Sequence, residues 1–180
     1  MKELLTVGHG ARTIEELISV LTGAGVQLLV DVRRFPGSRR NPHFSREALT
    51  QSLPAAGVTY EWRGEALGGR RKPHEDSRHH AWRNDAFRAY AGHIETEEFR
   101  TALDDLEARA ASVRQAVMCA ETLWWRCHRR LIADALVADG FEVTHIGLGK
   151  DAAHTLSEFA RLDARGLLVY DVEPDRPPEL

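Results

Sequence analysis

At 180 residues, with 43% hydrophobic and 28% charged residues, the chain has the length and mixture of one folded domain, not of a disordered or fibrous protein. No apolar run nears the ~20 residues that cross a bilayer, and two cysteines are too few for a disulfide scaffold, so a membrane span and a secreted cysteine framework are excluded. The net charge of -3 argues against a general polyanion binder, yet Arg33–Arg88 holds 12 Lys and Arg against 6 Asp and Glu, which leaves the rest of the chain strongly acidic.

The first ten residues are interrupted too soon, at Gly8 and His9, to read as a signal peptide, so the expected setting is cytoplasmic with both thiols reduced. Leu4–Val7 reads as a first strand. Thr13 and Glu16 have capping-box spacing and open a helix over Ile14–Leu21, stopped at Gly23 or Gly25. Leu28–Val32 is a second strand, Arg46–Leu53 a helix capped by Ser45, and Val58–Trp62 a third strand. Arg63–His93 then breaks the rhythm with Gly68, Gly69, Pro73 and four histidines, and reads as an irregular basic insertion. Thr96 caps a helix over Glu97–Ala111 with Phe99, Leu103 and Leu106 on one face. Ala116–Cys119 is a fourth strand, Cys127–Asp139 a helix stopped by Gly140, and Val143–Ile146 a fifth strand. Ala152–Leu162 reads as a late helix, Leu167–Tyr170 as a sixth strand and Pro174–Leu180 as a frayed tail. Continuous apolar strands alternating with helices predict one α/β domain over residues 1–173, with a mainly parallel sheet of five to six strands between two helical layers.

In such a sheet, ligands bind beyond the carboxyl ends of the strands. Gly8-His9-Gly10 follows the first strand. Asp31-Val32-Arg33, with Pro36-Gly37-Ser38, follows the second, and Gly68-Gly69-Arg70 lies beyond the third. Cys119-Ala120-Glu121 ends the fourth and leads into Cys127-His128-Arg129. On the motifs Thr6-Val-Gly-His9, Asp31-Val-Arg33-x-x-Pro36-x-Ser38, Leu67-Gly-Gly-Arg70, Cys119-Ala-Glu121 and Cys127-His-Arg129, in that order over about residues 5 to 147, the chain resembles the domain-of-unknown-function family numbered 488. The resemblance implies a Rossmann-like α/β domain and a part for the motif positions, but no reaction. One departure is the link Thr122-Leu-Trp-Trp-Arg126, usually polar in the family; Trp124 and Trp125 could be a lid, a stacking platform or a dimer patch.

A helix opening at Cys127–Arg130 would offer unpaired N–H groups and a positive dipole end to an anion, and the same field would lower a thiol pKa. Cys127 is therefore either a nucleophile or a small residue packed under the loop; Cys119 reads as buried, and the two could meet as a redox couple. Asp31 and Glu121 are rim acids, either general bases or partners of Arg33 and Arg129. A phosphatase-type loop is a near miss, because six residues separate Cys119 from Arg126 where five are needed. No His or Cys pair has metal-ligand spacing, so neither metal nor cofactor is expected.

The leading expectation is an enzyme acting on a small phosphorylated or nucleotide-like anion. His9, Asp31, Glu121 and Cys127 would carry the chemistry. Arg33, Ser38, Gly68, Gly69, Arg70, Cys119, His128 and Arg129 would hold the anion. The alternatives are a nucleic-acid-binding module, using the arginine stretch with Trp62, Trp82, Trp124 and Trp125 as stacking rings, and an interaction protein that forms a homodimer through Trp124 and Trp125.

Overall fold

Apolar side chains at alternate positions of short strands point to opposite faces of a sheet, so each strand must be covered twice. The fold, taken from a computed structural model, is described for residues 2–37 and 39–172; Ser38 and the tail Pro174–Leu180 lie outside the described residues. The strands are β1 (Glu3–Gly8), β2 (Leu28–Asp31), β3 (Thr59–Trp62), β4 (Gln115–Cys119), β5 (Glu142–His145) and β6 (Ala152–Ala153), forming one six-stranded sheet in the order β3-β2-β4-β1-β5-β6. β1 to β5 are parallel and β6 closes the edge antiparallel.

On one face, Leu5, Val7, Leu29, Ala116 and Met118 pack with Leu17 and Leu21 of α1 (Ile14–Gly23) and Leu49 of α2 (Arg46–Ser52). On the other, Leu4, Leu28, Val30, Val117, Cys119 and Val143 pack with α4 (Asp85–Ile94), α5 (Glu97–Arg109) and α6 (Arg129–Ala138); α3 (Gly64–Leu67) is a single turn. The result is a three-layer α/β fold with a mostly parallel sheet. Thr13 and Glu16 form the expected capping box, and Ser45, Asn84 and Thr96 cap α2, α4 and α5.

Three expectations are corrected. Ala152–Leu162 is not a helix: it holds β6, a loop and β7 (Ala160–Leu162). Its backbone is held by partners elsewhere, since the His154 N–H donates to Val143 O at 2.7 Å and the Ser157 N–H to Asp134 Oδ1 at 2.8 Å, so tertiary bonds override the helical pattern. Leu168–Tyr170 is a strand, β8, but it pairs with β7 in a separate two-stranded sheet. The stretch 63–93 is not irregular throughout, because α3 and most of α4 lie inside it and only Arg63 and 68–84 lack helix or strand. Among the described residues no helix is long and apolar enough to cross a membrane.

Candidate functional site

Strand parity decides which side chains meet. Thr6, Cys119 and His145 share the parity of Leu4, Val117 and Val143, so all three face α6. Gly8 ends β1 where a β-carbon would overlap the Glu121 carbonyl, which lets the loop after β4 fold tightly over the end of β1. That loop returns the chain to Cys127, which lies just before α6.

The two sulfurs arrive 2.8 Å apart. Beneath them lies Arg129, only 1% exposed. Its Nε donates to Cys119 Sγ at 3.0 Å, its backbone N–H to Cys127 Sγ at 3.3 Å and its Nη2 to the Glu121 carbonyl at 2.6 Å. No carboxylate pairs with this guanidinium among the described residues; two of its contacts are the cysteine sulfurs. A buried cation is stabilised by a nearby counter-charge, which favours the thiolate form of an adjacent cysteine. Burial pushes the Cys127 thiol up, but the hydrogen bond from the Cys119 thiol and the charge and N–H of Arg129 outweigh it and bring the pKa to about 7. Burial and the neighbouring Cys127 sulfur push Cys119 well up, so of the two sulfurs Cys119 holds its proton more tightly.

Above Cys127 opens a cleft of about 340 Å³, walled by Arg34, Phe35, Gly69, Arg70, Arg126 and His128. Arg34 and Arg70 lie over the ring of Phe35, which is 65% exposed, with guanidinium carbons 5.9 and 5.6 Å from its centre. Glu121 is the one carboxylate in the lining. Arg70 holds φ at 59°, a left-handed conformation that a residue with a β-carbon adopts at a cost.

The expected site residues divide three ways. Cys119, Cys127, Glu121, Arg33, Gly69, Arg70 and His128 all line the cleft. His9, Asp31 and Arg129 are buried outside its lining. Arg33 is committed inward: Nε and Nη2 donate to the two Asp31 oxygens at 2.9 and 2.6 Å, Nη2 also to Phe44 O, and Nη1 contacts His9 Nε2 at 3.1 Å. Tyr60 adds its hydroxyl to Asp31 at 2.8 Å. Since His9 Nδ1 donates to the Gly10 carbonyl, its Nε2 accepts from Arg33, and burial together with that cation holds its pKa down, at about 4. His9, Asp31 and Arg33 therefore act as a brace between β1 and β2. The Gly68 N–H is spent on Gly64 O at the end of α3 and cannot cradle an anion. The α6 opening is likewise turned toward the sulfur of Cys127 by the Arg129 N–H. His128 Nε2 donates to Val32 O at 3.1 Å, and burial keeps this ring neutral, near 4. Ser38 lies outside the described residues.

Behind Arg129 runs a line of buried hydrogen bonds that the sequence did not disclose. Asp134 is a carboxylate, so the Nε2 of His154 donates to it at 3.0 Å; the His154 Nδ1 then accepts from His145 Nε2 at 2.9 Å. His145 Nδ1 in turn accepts from the Thr6 hydroxyl at 2.6 Å, and that oxygen accepts from Arg129 Nη1 at 3.3 Å. Ser157 and Tyr170 hydroxyls complete the Asp134 shell at 2.8 and 3.0 Å. Trp124 stacks on His145 at 4.2 Å and 8°. The available signals were polar residues in apolar settings: Thr6 and His145 in buried strands, and Asp134 between the inward Leu131 and Ala135 of α6. Among the described residues, no three His, Cys, Asp or Glu side chains are placed to hold a metal ion.

The family described as Domain of unknown function DUF488 matches residues 13–136. The chain belongs to that family. The DUF488 match contains Asp31, Arg33, Arg70, both cysteines, His128, Arg129 and Asp134, while Thr6, His9, His145 and His154 lie outside it. No curated protein and no solved structure matches the chain.

The tryptophans do not assemble into a stacking surface. Trp82 is 8% exposed in the core, Trp62 donates its Nε1 to Arg33 O, and Trp124 is turned onto His145. Trp125 is exposed and packs edge-on against the half-buried Trp124, with ring centroids 5.5 Å apart. Part of the basic stretch is neutralised by ion pairs. Arg63 pairs with Glu61 and Asp105, Arg71 with Glu98, and Arg78 with Glu95 and Asp163. Among the described residues, Arg34, Arg70 and Arg126 enter no ion pair, and all three face the cleft.

Proposed function

We propose that this DUF488 protein is an enzyme whose Cys127 thiolate attacks an electrophilic centre in a small anionic substrate held in the arginine-walled cleft. One observation carries the reading: Cys127 lines the cleft while its sulfur accepts the N–H of Arg129, a buried arginine with no carboxylate partner among the described residues. A thiolate and an anionic substrate repel, and the unpaired guanidinia of Arg34, Arg70 and Arg126 offset that repulsion while giving planar donor forks to phosphoryl or carboxylate oxygens. Glu121, at the cleft wall, is placed to take or return a proton. Phe35 offers a flat apolar face for a ring carried by the substrate.

The test is alkylation of Cys127 by iodoacetamide at neutral pH, followed by peptide mapping, with and without inorganic phosphate or pyrophosphate. Selective labelling at Cys127 that the anions slow supports the reading. Labelling that the anions leave unchanged, or no labelling at Cys127, overturns it.

A further inference from the structure

Cys119 and Cys127 are the only cysteines of the chain, and the fold sets them side by side. They differ in access: Cys119 is 2% exposed at the end of β4, while Cys127 sits at the cleft floor and is the sulfur a reagent reaches first. They also differ in acidity, since burial and the neighbouring sulfur push the Cys119 thiol up while Arg129 and that same contact bring Cys127 down. A protonated thiol parked against a thiolate is the arrangement in which one sulfur reacts and the other resolves.

Resting on Cys127 as the nucleophile, we propose that Cys119 and Cys127 are a dithiol–disulfide couple that reduces a small hydroperoxide in the cleft. The Cys127 thiolate attacks the terminal peroxide oxygen; an S–O bond forms, the O–O bond breaks, and the alkoxide or hydroxide leaves. The arginines of the cleft wall, above all Arg126 and Arg70, stabilise the charge that develops on the departing oxygen. Cys127 is then a sulfenic acid. The Cys119 sulfur attacks it, an S–S bond forms, the S–O bond breaks, and the released hydroxide takes the Cys119 proton to leave as water. The peroxide gains two electrons and the dithiol loses them. Oxidation leaves Arg129 buried without its thiolate, so the disulfide form is destabilised and a small external thiol returns it to the dithiol.

The experiment treats the reduced full-length protein with equimolar hydrogen peroxide, alkylates the remaining thiols and maps the peptides. The proposal expects both thiols to be lost together as one intramolecular Cys119–Cys127 disulfide, recovered by dithiothreitol. In Cys119→Ser, the reaction stops at a Cys127 sulfenic acid that dimedone traps. A wild-type protein that accumulates trappable Cys127 sulfenic acid while Cys119 stays alkylatable, or that forms only intermolecular disulfides, overturns the couple. The mapping needs no variant, so a misfolded Cys119→Ser does not shelter the proposal. Cys127 that reacts with iodoacetamide but never bonds Cys119 sinks only this inference; Cys127 inert to both reagents sinks the nucleophile reading as well.

Discussion

Arg129 makes the largest single commitment in the structure. Burying a guanidinium is costly unless every donor is used and a counter-charge is near. Here the donors go to two sulfurs, a hydroxyl and two carbonyls. Arg129→Gln removes the charge but keeps part of the shape. We expect it to cost about 3 kcal/mol in urea unfolding and to move the pH midpoint of Cys127 alkylation upward from about 7; an unchanged midpoint would show that the arginine does not hold the thiolate. Arg70 is a smaller commitment with the opposite balance. Its left-handed backbone suits glycine, so Arg70→Gly is expected to raise stability by up to about 1 kcal/mol while weakening phosphate protection of Cys127. A variant both less stable and fully protected would refute a functional reason for the strain.

At the scale of elements, the line from Asp134 to Arg129 ties α6, β5, β1 and the 154–157 loop together. Asp134→Asn places an amide donor against donors that need an acceptor, and should cost at least ~2 kcal/mol, read by thermal melting, with His145 and His154 imidazole resonances shifting in NMR. Unmoved resonances would mean the line is not formed. The histidines also set an acid limit. His9, His128 and His145 have values of about 4, 4 and 3 in the fold against an ordinary 6.5, so the unfolded chain takes up protons first. Their contribution is complete above pH 6.5 and is lost as the pH falls through 6.5 toward 4. For His128 the loss is on the order of 3 kcal/mol. His128→Gln keeps a donor for Val32 O without a titrating ring, so it should flatten the fall of stability between pH 6.5 and 4; an equally steep fall would assign the effect elsewhere. Most of these elements were legible because continuous apolar strands and capping residues are local signals. The 152–162 segment was not, because its shape is decided by Val143 O and Asp134, which are distant in sequence.

For the whole molecule, the uneven charge along the chain reads differently once folded. Acids outside 33–88, such as Glu95, Glu98, Asp105 and Asp163, pair with some of the arginines inside it, while Arg34, Arg70 and Arg126, which enter no ion pair among the described residues, gather at one cleft. Anion affinity should therefore fall with salt at a slope of about one to two charges, not the many of a nucleic-acid surface. A steep slope, or tight oligonucleotide binding measured by anisotropy, would contradict this. The sequence pointed to a rim because strand ends collect there, and Cys119, Cys127, Glu121, Arg70 and His128 line one cleft. It could not separate groups facing the cleft from those bracing it, since the burial of Arg33, Arg129, His9 and Asp31 depends on layers packed from distant segments.

The account turns on the charge state of one sulfur. Ultraviolet titration of thiolate absorbance, comparing wild type with Cys127→Ser, measures it directly. A transition centred near pH 7 that vanishes in the variant is predicted; a wild-type transition at or above the ordinary 9.0, or one indifferent to Cys127, would contradict it.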